Sequence, residues 1–420
     1  VSTIAHAHVD VGETAPDDAP PLASLARVSR VLVRWRWLVV PMIAVAFYAS
    51  RGALPTDLSA FVPYGRDILA GHLAAPYAIS YDQSGPLQLL AAATVPPSFI
   101  RSVFKFGALA ALWSVFISIG SLWFVRLVRH LAGLTRSGGL ELVAGLLTAA
   151  WVIGGQALGG HVAELTIPAS WVLAGSALRR GHWAVAGILL GTSVAWEPWG
   201  VLGLPIALLA FELRAAAKAA AVTMGTAVAC YLPFIIAGPF RMLDFDWQVL
   251  PGTLVYALWP NTTEFGWLPR SLQGGLCIAI GSTLAISLRR RRATNSVWLV
   301  PVAILLTRFV FDPVQFSYYW VAAQIALIAG FALLDVRRRL PAVLLTVCFW
   351  ITSAVFGNWK TIDSVIALGL VVLLVVIERG HTAPVAPDWL PAAGGQPVVD
   401  GHVGDVDADH RLAQSAGHLR

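Results

Sequence analysis

Apolar runs of roughly 14 to 22 residues recur along the chain, cut by short arginine clusters, which is the pattern of helices crossing a bilayer. They predict a first helix over 37–50, then a polar loop over 51–83. Further helices are predicted over 106–126, 139–158, 161–178, 217–237, 271–288, 296–310, 319–335, 340–356 and 364–378. Between them, the run 183–212 is interrupted at Glu197-Pro198, and a proline inside an apolar run breaks a helix, so two short helices are expected there. Pro86 to Val95 is apolar but, at about 1.5 Å per residue, too short to span. It reads as a re-entrant or interfacial helix in the first outer loop. The expected fold is all-α, a polytopic transmembrane bundle of about twelve spans. A transmembrane barrel would instead show alternating segments of about ten residues. The termini, 1–26 and 380–420, are polar and poor in apolar residues, and are expected to be disordered on either side of a membrane domain over 27–379.

Composition agrees with the pattern. The 420 residues are 57% hydrophobic and 12% charged, against about 25% charged in an ordinary soluble domain; mean hydropathy is +0.71. The net charge of +6 is concentrated in short segments at Arg34 and Arg36, Arg126 and Arg129, Arg179 and Arg180, Arg214 and Lys218, Arg289 to Arg292, and Arg337 to Arg339. By the positive-inside rule these segments face the cytoplasm, with both termini, in a plasma (inner) membrane protein. The same distribution accounts for the charge without nucleic acid as a partner. Cys230, Cys277 and Cys348 lie inside apolar runs with no Cys-x-x-Cys spacing, so they read as buried thiols. The first thirty or so residues carry no apolar leader segment, so no cleaved signal peptide is expected.

On this topology the loop between the first helix and Leu90 faces outwards, and Asp57 opens it. A carboxylate held beside the bilayer can be partly desolvated and still reach a hydroxyl, as a general base must. The plain alternative is a solvated or helix-capping acid at Asp57-Leu58-Ser59-Ala60. Asp67 and Asp82 share the loop, with Asp67 read as an exposed neighbour of Arg66. Glu164 and Glu197 interrupt apolar stretches, where an ionised group normally faces a cavity or a partner. Glu164 lies near the outer boundary, where it is expected to be hydrated. Arg308 interrupts another apolar run. It reads either as an anion ligand, together with Arg270 and His161, or as half of an i,i+4 pair with Asp312. Walker A, His-Glu-x-x-His and Gly-x-Ser-x-Gly patterns are all missing, which removes the usual support for ATP hydrolysis, zinc proteolysis or serine hydrolysis. Asp57 standing alone makes no multi-carboxylate metal site, and neither metal nor cofactor is expected.

The stretch Ser170 to Gly191 resembles the central segment of the polyprenyl-phosphate-dependent glycosyltransferases of the C superfamily. The nearest likeness is to glycosyltransferase family 87, the actinobacterial mannosyl- and arabinofuranosyltransferases. The first loop is similar too, with Asp57, Tyr64, Leu69 to Gly71 and Pro76-Tyr77. Phe311 to Trp320 is similar to a late outer loop of that family. The resemblance implies an inverting glycosyltransferase that uses a polyprenyl-phosphate sugar, with Asp57 as base on the outer face. Arg308, Arg270 and His161 would meet the donor phosphate, and Tyr64, Tyr77, Glu197 and Tyr319 the substrates. The acceptor would be a cell-envelope glycolipid or polysaccharide such as a lipoglycan, with membrane lipid around the enzyme. Two positions depart from the family pattern: its lysine before proline is Glu197, and its paired histidines are Tyr318 and Tyr319. Two rival classes remain, a transporter or flippase with Glu164, Glu197 and Arg308 along its pathway, and a non-catalytic scaffold for lipid-linked sugars.

Overall fold

The computed structural model describes residues 21–49, 56–80, 83–100, 102–153, 160–293, 295–316 and 318–334, together with Val365, Ile366, Gly369 and Val372. The described chain is mostly helical. Its order is α1 (Pro21–Arg34), α2 (Arg36–Ala49), α3 (Thr56–Leu69), α4 (Pro86–Ala93), α5 (Pro97–Ile100), α6 (Val103–Leu131) and α7 (Gly138–Leu147), which runs into a π-helical turn, Thr148–Ile153. Next come α8 (Ala163–Arg179), α9 (Trp183–Trp196), a 3-10 segment Pro198–Leu209 and α10 (Leu213–Ala237). A two-stranded antiparallel ladder, β1 (Trp247–Gln248) with β2 (Glu264–Phe265), encloses α11 (Leu254–Leu258). Helices α12 (Trp267–Arg290), α13 (Leu299–Val310) and α14 (Tyr319–Leu333) complete it.

The sequence signals explain most of these boundaries. Ser102 and Ser137 cap α6 and α7, their hydroxyls accepting from the amides of Lys105 and Leu140. Pro86 occupies the first position of α4, where its missing N–H is harmless. The expected break at Glu197-Pro198 is present: α9 ends at Trp196 and Pro198 opens the tighter 3-10 segment. The short helix expected over 86–95 is also present, as α4. The expected spans 340–356 and 364–378 and the two polar termini lie outside the described residues, apart from the start of α1 and the isolated positions within 364–378.

One expectation is corrected. The polar stretch after the first helix is an α-helix from Thr56 to Leu69, not a loop. Its amphipathic spacing buries Leu58, Val62 and Gly65, while Ser59, Pro63 and Arg66 face out. Helix α3 lies hard against α4. A Cβ added at Gly65 would sit 2.0 Å from the Leu89 carbonyl oxygen and 2.9 Å from the Ala93 Cβ. Gly65→Ala must therefore push two backbones apart. The expected result is a loss of about 1–3 kcal/mol, measured as a lowered unfolding midpoint of the purified protein.

Among the described residues three helices, Lys105–Leu131, Leu213–Ala237 and Trp267–Arg290, are long and apolar enough to cross a membrane, and the pair around Arg34–Arg36, bent by 87°, makes a fourth if it counts as one span. Between 22% and 33% of their most apolar windows is buried. Phe116, Trp123, Val228, Ile235, Ile236, Leu268 and Leu272 point outwards instead. Apolar side chains left uncovered on such helices are compatible with a lipid surrounding. The main core lies where α8, the 3-10 segment, α12, α13 and α14 converge on Trp171, Ile206 and Trp298. At the arginine-rich end, Glu141 is 1% exposed and accepts from Arg36 at 2.6 Å and from Arg126 at 3.1 Å, tying α2, α6 and α7 together.

Candidate functional site

Asp57 stands in the first turn of α3, where the helix dipole favours a negative charge. The chain returns to it from far along the sequence. Gly160 adopts φ 118°, a conformation open to glycine, and packs so closely on α3 that a Cβ would lie 2.9 Å from the Leu58 nitrogen. That close approach delivers His161, whose Nε2 donates to Asp57 Oδ2 at 2.7 Å. The imidazole is clamped on both sides. Tyr318 stacks on it with ring centres 3.8 Å apart and planes 11° from parallel, and Phe61 meets it edge-on at 6.0 Å. Burial, followed by the neighbouring Tyr319, holds the Tyr318 phenol well above its ordinary value, so it faces His161 as a neutral hydroxyl. Asp57 keeps 39% of its side chain exposed while His161 keeps 11%. The carboxylate is thus fixed from behind and open in front.

A second, deeper cluster adjoins it. Glu164, three residues beyond His161 at the start of α8, is 1% exposed. This corrects the expectation of a hydrated boundary acid. Its Oε1 faces Arg308 Nη1 at 3.6 Å, and its Oε2 has no hydrogen-bond partner. The expected Arg308–Asp312 pair exists, at 3.8 Å, but as one edge of a larger network. Asp312, fully buried, also meets Arg270 Nη1 at 3.2 Å. Gln273 bridges the two arginines, accepting from Arg270 at 2.8 Å and donating to the Arg308 carbonyl at 2.7 Å. Arg308 lies over Trp199 at 4.2 Å and Tyr319 at 4.9 Å, and Arg270 over Trp247 at 4.6 Å.

Glu197 closes the cluster at the α9 break. It accepts from the Trp199 indole N–H and from Gln88 Nε2, the latter at 3.1 Å. Gln88 also donates to Ser84 and accepts from the Ala163 amide at 3.0 Å, so α4 is bolted to the start of α8. Sequence reasoning missed Gln88, although a lone amide inside an eight-residue apolar helix was the available signal.

The structure therefore brings Asp57 and His161 together, and sets Arg308, Arg270, Tyr319 and Glu197 in one adjoining network. Both arginines already face carboxylates: the two guanidinium groups stand against Glu164 and Asp312, and Glu197 joins them through Trp199. Tyr64 sits partly exposed on α3, packed with Phe61 and Ile68 against the buried cluster of Tyr77, Leu89, Phe234 and Met242. Tyr77 is 1% exposed and donates to the Ser84 carbonyl at 3.0 Å. It serves as a core strut beneath the loop, packed against Phe234 and Phe240. Asp67 lies 3.6 Å from His72, both exposed. Among the described residues no group of three His, Cys, Asp or Glu side chains is placed to hold a metal ion. Comparison with protein-family models, with curated proteins and with solved structures finds no match to this chain.

Proposed function

We propose that this chain is an inverting membrane glycosyltransferase that moves mannose or arabinofuranose from a polyprenyl phosphate to an envelope glycolipid or polysaccharide. The observation that carries the reading is the Asp57–His161 contact, a part-exposed carboxylate oriented by a buried imidazole at the end of the bundle away from the arginine clusters. The residue resemblance to the polyprenyl-phosphate-dependent glycosyltransferases supplies the reaction class. In this reading about twelve spans place both termini in the cytoplasm and Asp57 outside.

Asp57 takes the proton of an acceptor hydroxyl as its oxygen attacks the anomeric carbon. The bond from that carbon to the phosphate oxygen breaks, and the polyprenyl phosphate leaves with the electron pair. His161 keeps the carboxylate aimed for that transfer. Arg308 and Arg270 stand behind it. Because Glu164 and Asp312 already neutralise them, a donor phosphate binds by sharing guanidinium donors with those carboxylates. Tyr64 and Tyr319 are the aromatic side chains offered to a sugar ring, while Tyr318 is engaged with His161.

A transporter is the second reading. It is favoured by the buried Glu164–Arg308–Asp312 network, in which Glu164 Oε2 is left without a hydrogen bond. One experiment divides the two. Membranes containing the protein are incubated with radiolabelled polyprenyl-phosphate mannose or arabinose and lipoglycan acceptors. Label incorporated into the acceptor supports the transferase. Uptake driven by an ion gradient, with no incorporation, replaces it with the transporter.

A further inference from the structure

At the opposite end of α8 from His161, about 25 Å away by a helical rise of 1.5 Å per residue, Arg179 is 3% exposed. None of its three guanidinium nitrogens has a hydrogen-bond partner. Its neighbours at this end show how unusual that is. Arg180 donates to the carbonyls of Leu131 and His130, and Arg129 to those of Thr135 and Ala332. Arg126 and Arg36 share Glu141. Arg179 has only the face of Phe211, at 4.9 Å. The charge that acts on it is of the same sign: Arg289, in the last turn of α12, repels it, and Arg289 Nη1 is itself buried without a partner.

Among the described residues neither arginine forms an ion pair, and Glu212, beside Phe211, is exposed and makes none with them. The carbonyl ends of α8 and α12 favour a cation, but that dipole offsets only a fraction of what burying an unmatched guanidinium costs. A buried guanidinium with every donor unused, and a half-buried one whose inner Nη1 is also unpartnered, are complementary to a doubly accepting oxyanion. Arg290 and Arg291 follow Arg289 at the end of α12, and both are exposed.

We propose that Arg179 and Arg289 form an anion site that holds a phosphate group between the ends of α8 and α12. It is separate from the outer cluster and does not depend on the transferase reading. The group is a phosphate mono- or diester, carried either on an anionic lipid headgroup or on a soluble phosphate.

The test uses the full chain purified in neutral detergent. Its unfolding midpoint is followed while titrating inorganic phosphate, phosphatidylglycerol or phosphatidylcholine. The wild type is expected to be stabilised by a phosphate-bearing anion and not by phosphatidylcholine. A response to phosphatidylglycerol alone identifies a headgroup site, and an equal response to inorganic phosphate identifies a soluble one. Arg179→Met should weaken that binding roughly ten- to a hundred-fold, the loss of a charge-assisted hydrogen bond. The same variant should be at least as stable as wild type without anion, since the unmatched charge is gone. If Arg179→Met does not fold, Arg289→Gln is expected to weaken the response in the same direction. Identical titrations for wild type and variants, or no response to either anion, overturn the proposal.

Discussion

Replacing Asp57 with asparagine is expected to lower sugar transfer by about 10²- to 10⁴-fold, the usual contribution of a general base, with expression and unfolding midpoint near those of wild type. Asparagine keeps the size of the side chain and still caps a helix start, so α3 retains its first turn. It also still accepts the hydrogen bond that His161 makes at 2.7 Å. What it cannot do is take a proton at neutral pH. The measurement is initial-rate transfer of label from polyprenyl-phosphate mannose or arabinose in membranes carrying matched amounts of each protein. Asp57→Ala should be equally inactive. Turnover retained in the asparagine variant would remove Asp57 as the base and leave its pairing with His161 as a structural tie between α3 and α8.

The second large effect is on stability. Arg308→Met is expected to destabilise the bundle by about 3–5 kcal/mol, the typical result of removing one partner of a buried ion pair. The guanidinium lies between Glu164 at 3.6 Å and Asp312 at 3.8 Å, and these acids are 1% and 0% exposed. Methionine fills much of the same volume, so packing loss is the smaller term. Two carboxylates left in a low-dielectric interior form the larger one. They are not equally stranded, because Asp312 keeps Arg270 at 3.2 Å while Glu164 has no other ion-pair partner among the described residues. Glu164→Gln added to Arg308→Met should therefore recover part of the loss, with a coupling energy in the range of about 0.5–3 kcal/mol for interacting sites. Denaturation of the four proteins of this cycle measures it. Additive losses would mean that the pair does not interact as drawn.

The two experiments probe different parts of one arrangement. Asp57 is reached from the open side, where exposure is compatible with proton transfer. The Glu164–Arg308–Asp312–Arg270 network is closed and fixes the ends of α8, α12 and α13 relative to each other. A base needs that fixity behind it, since displacing the reacting groups by an ångström is enough to slow a positioned reaction strongly.

Element boundaries in this chain were largely written locally. The break at Glu197-Pro198, the short α4 after Gly85-Pro86 and the serine caps of α6 and α7 depend on one or two residues and on backbone hydrogen bonding nearby. They could be read without knowing what packs where. The stretch after the first helix was misread for the opposite reason. Its Pro63, Gly65 and polar residues suggest a loop when taken singly. They are tolerated in a helix because Leu58, Val62 and Gly65 line up against α4, and that partner is supplied by the tertiary fold.

Sequence alone determined that this chain is dominated by apolar helices with an arginine-rich side, because length, hydropathy and charge act within a single segment. It also singled out Glu164, Glu197 and Arg308 as ionisable residues interrupting apolar runs, and Asp57 as an acid beside the first helix. Only the tertiary structure decided which of them meet. Asp57 and His161 are 104 residues apart in sequence and 2.7 Å apart in space. Arg308 acquired Glu164 as well as its helical neighbour Asp312. Arg179 was left buried with no acceptor at all. Ion pairing and desolvation are set by what surrounds a charge in three dimensions, and no periodicity along the chain encodes that.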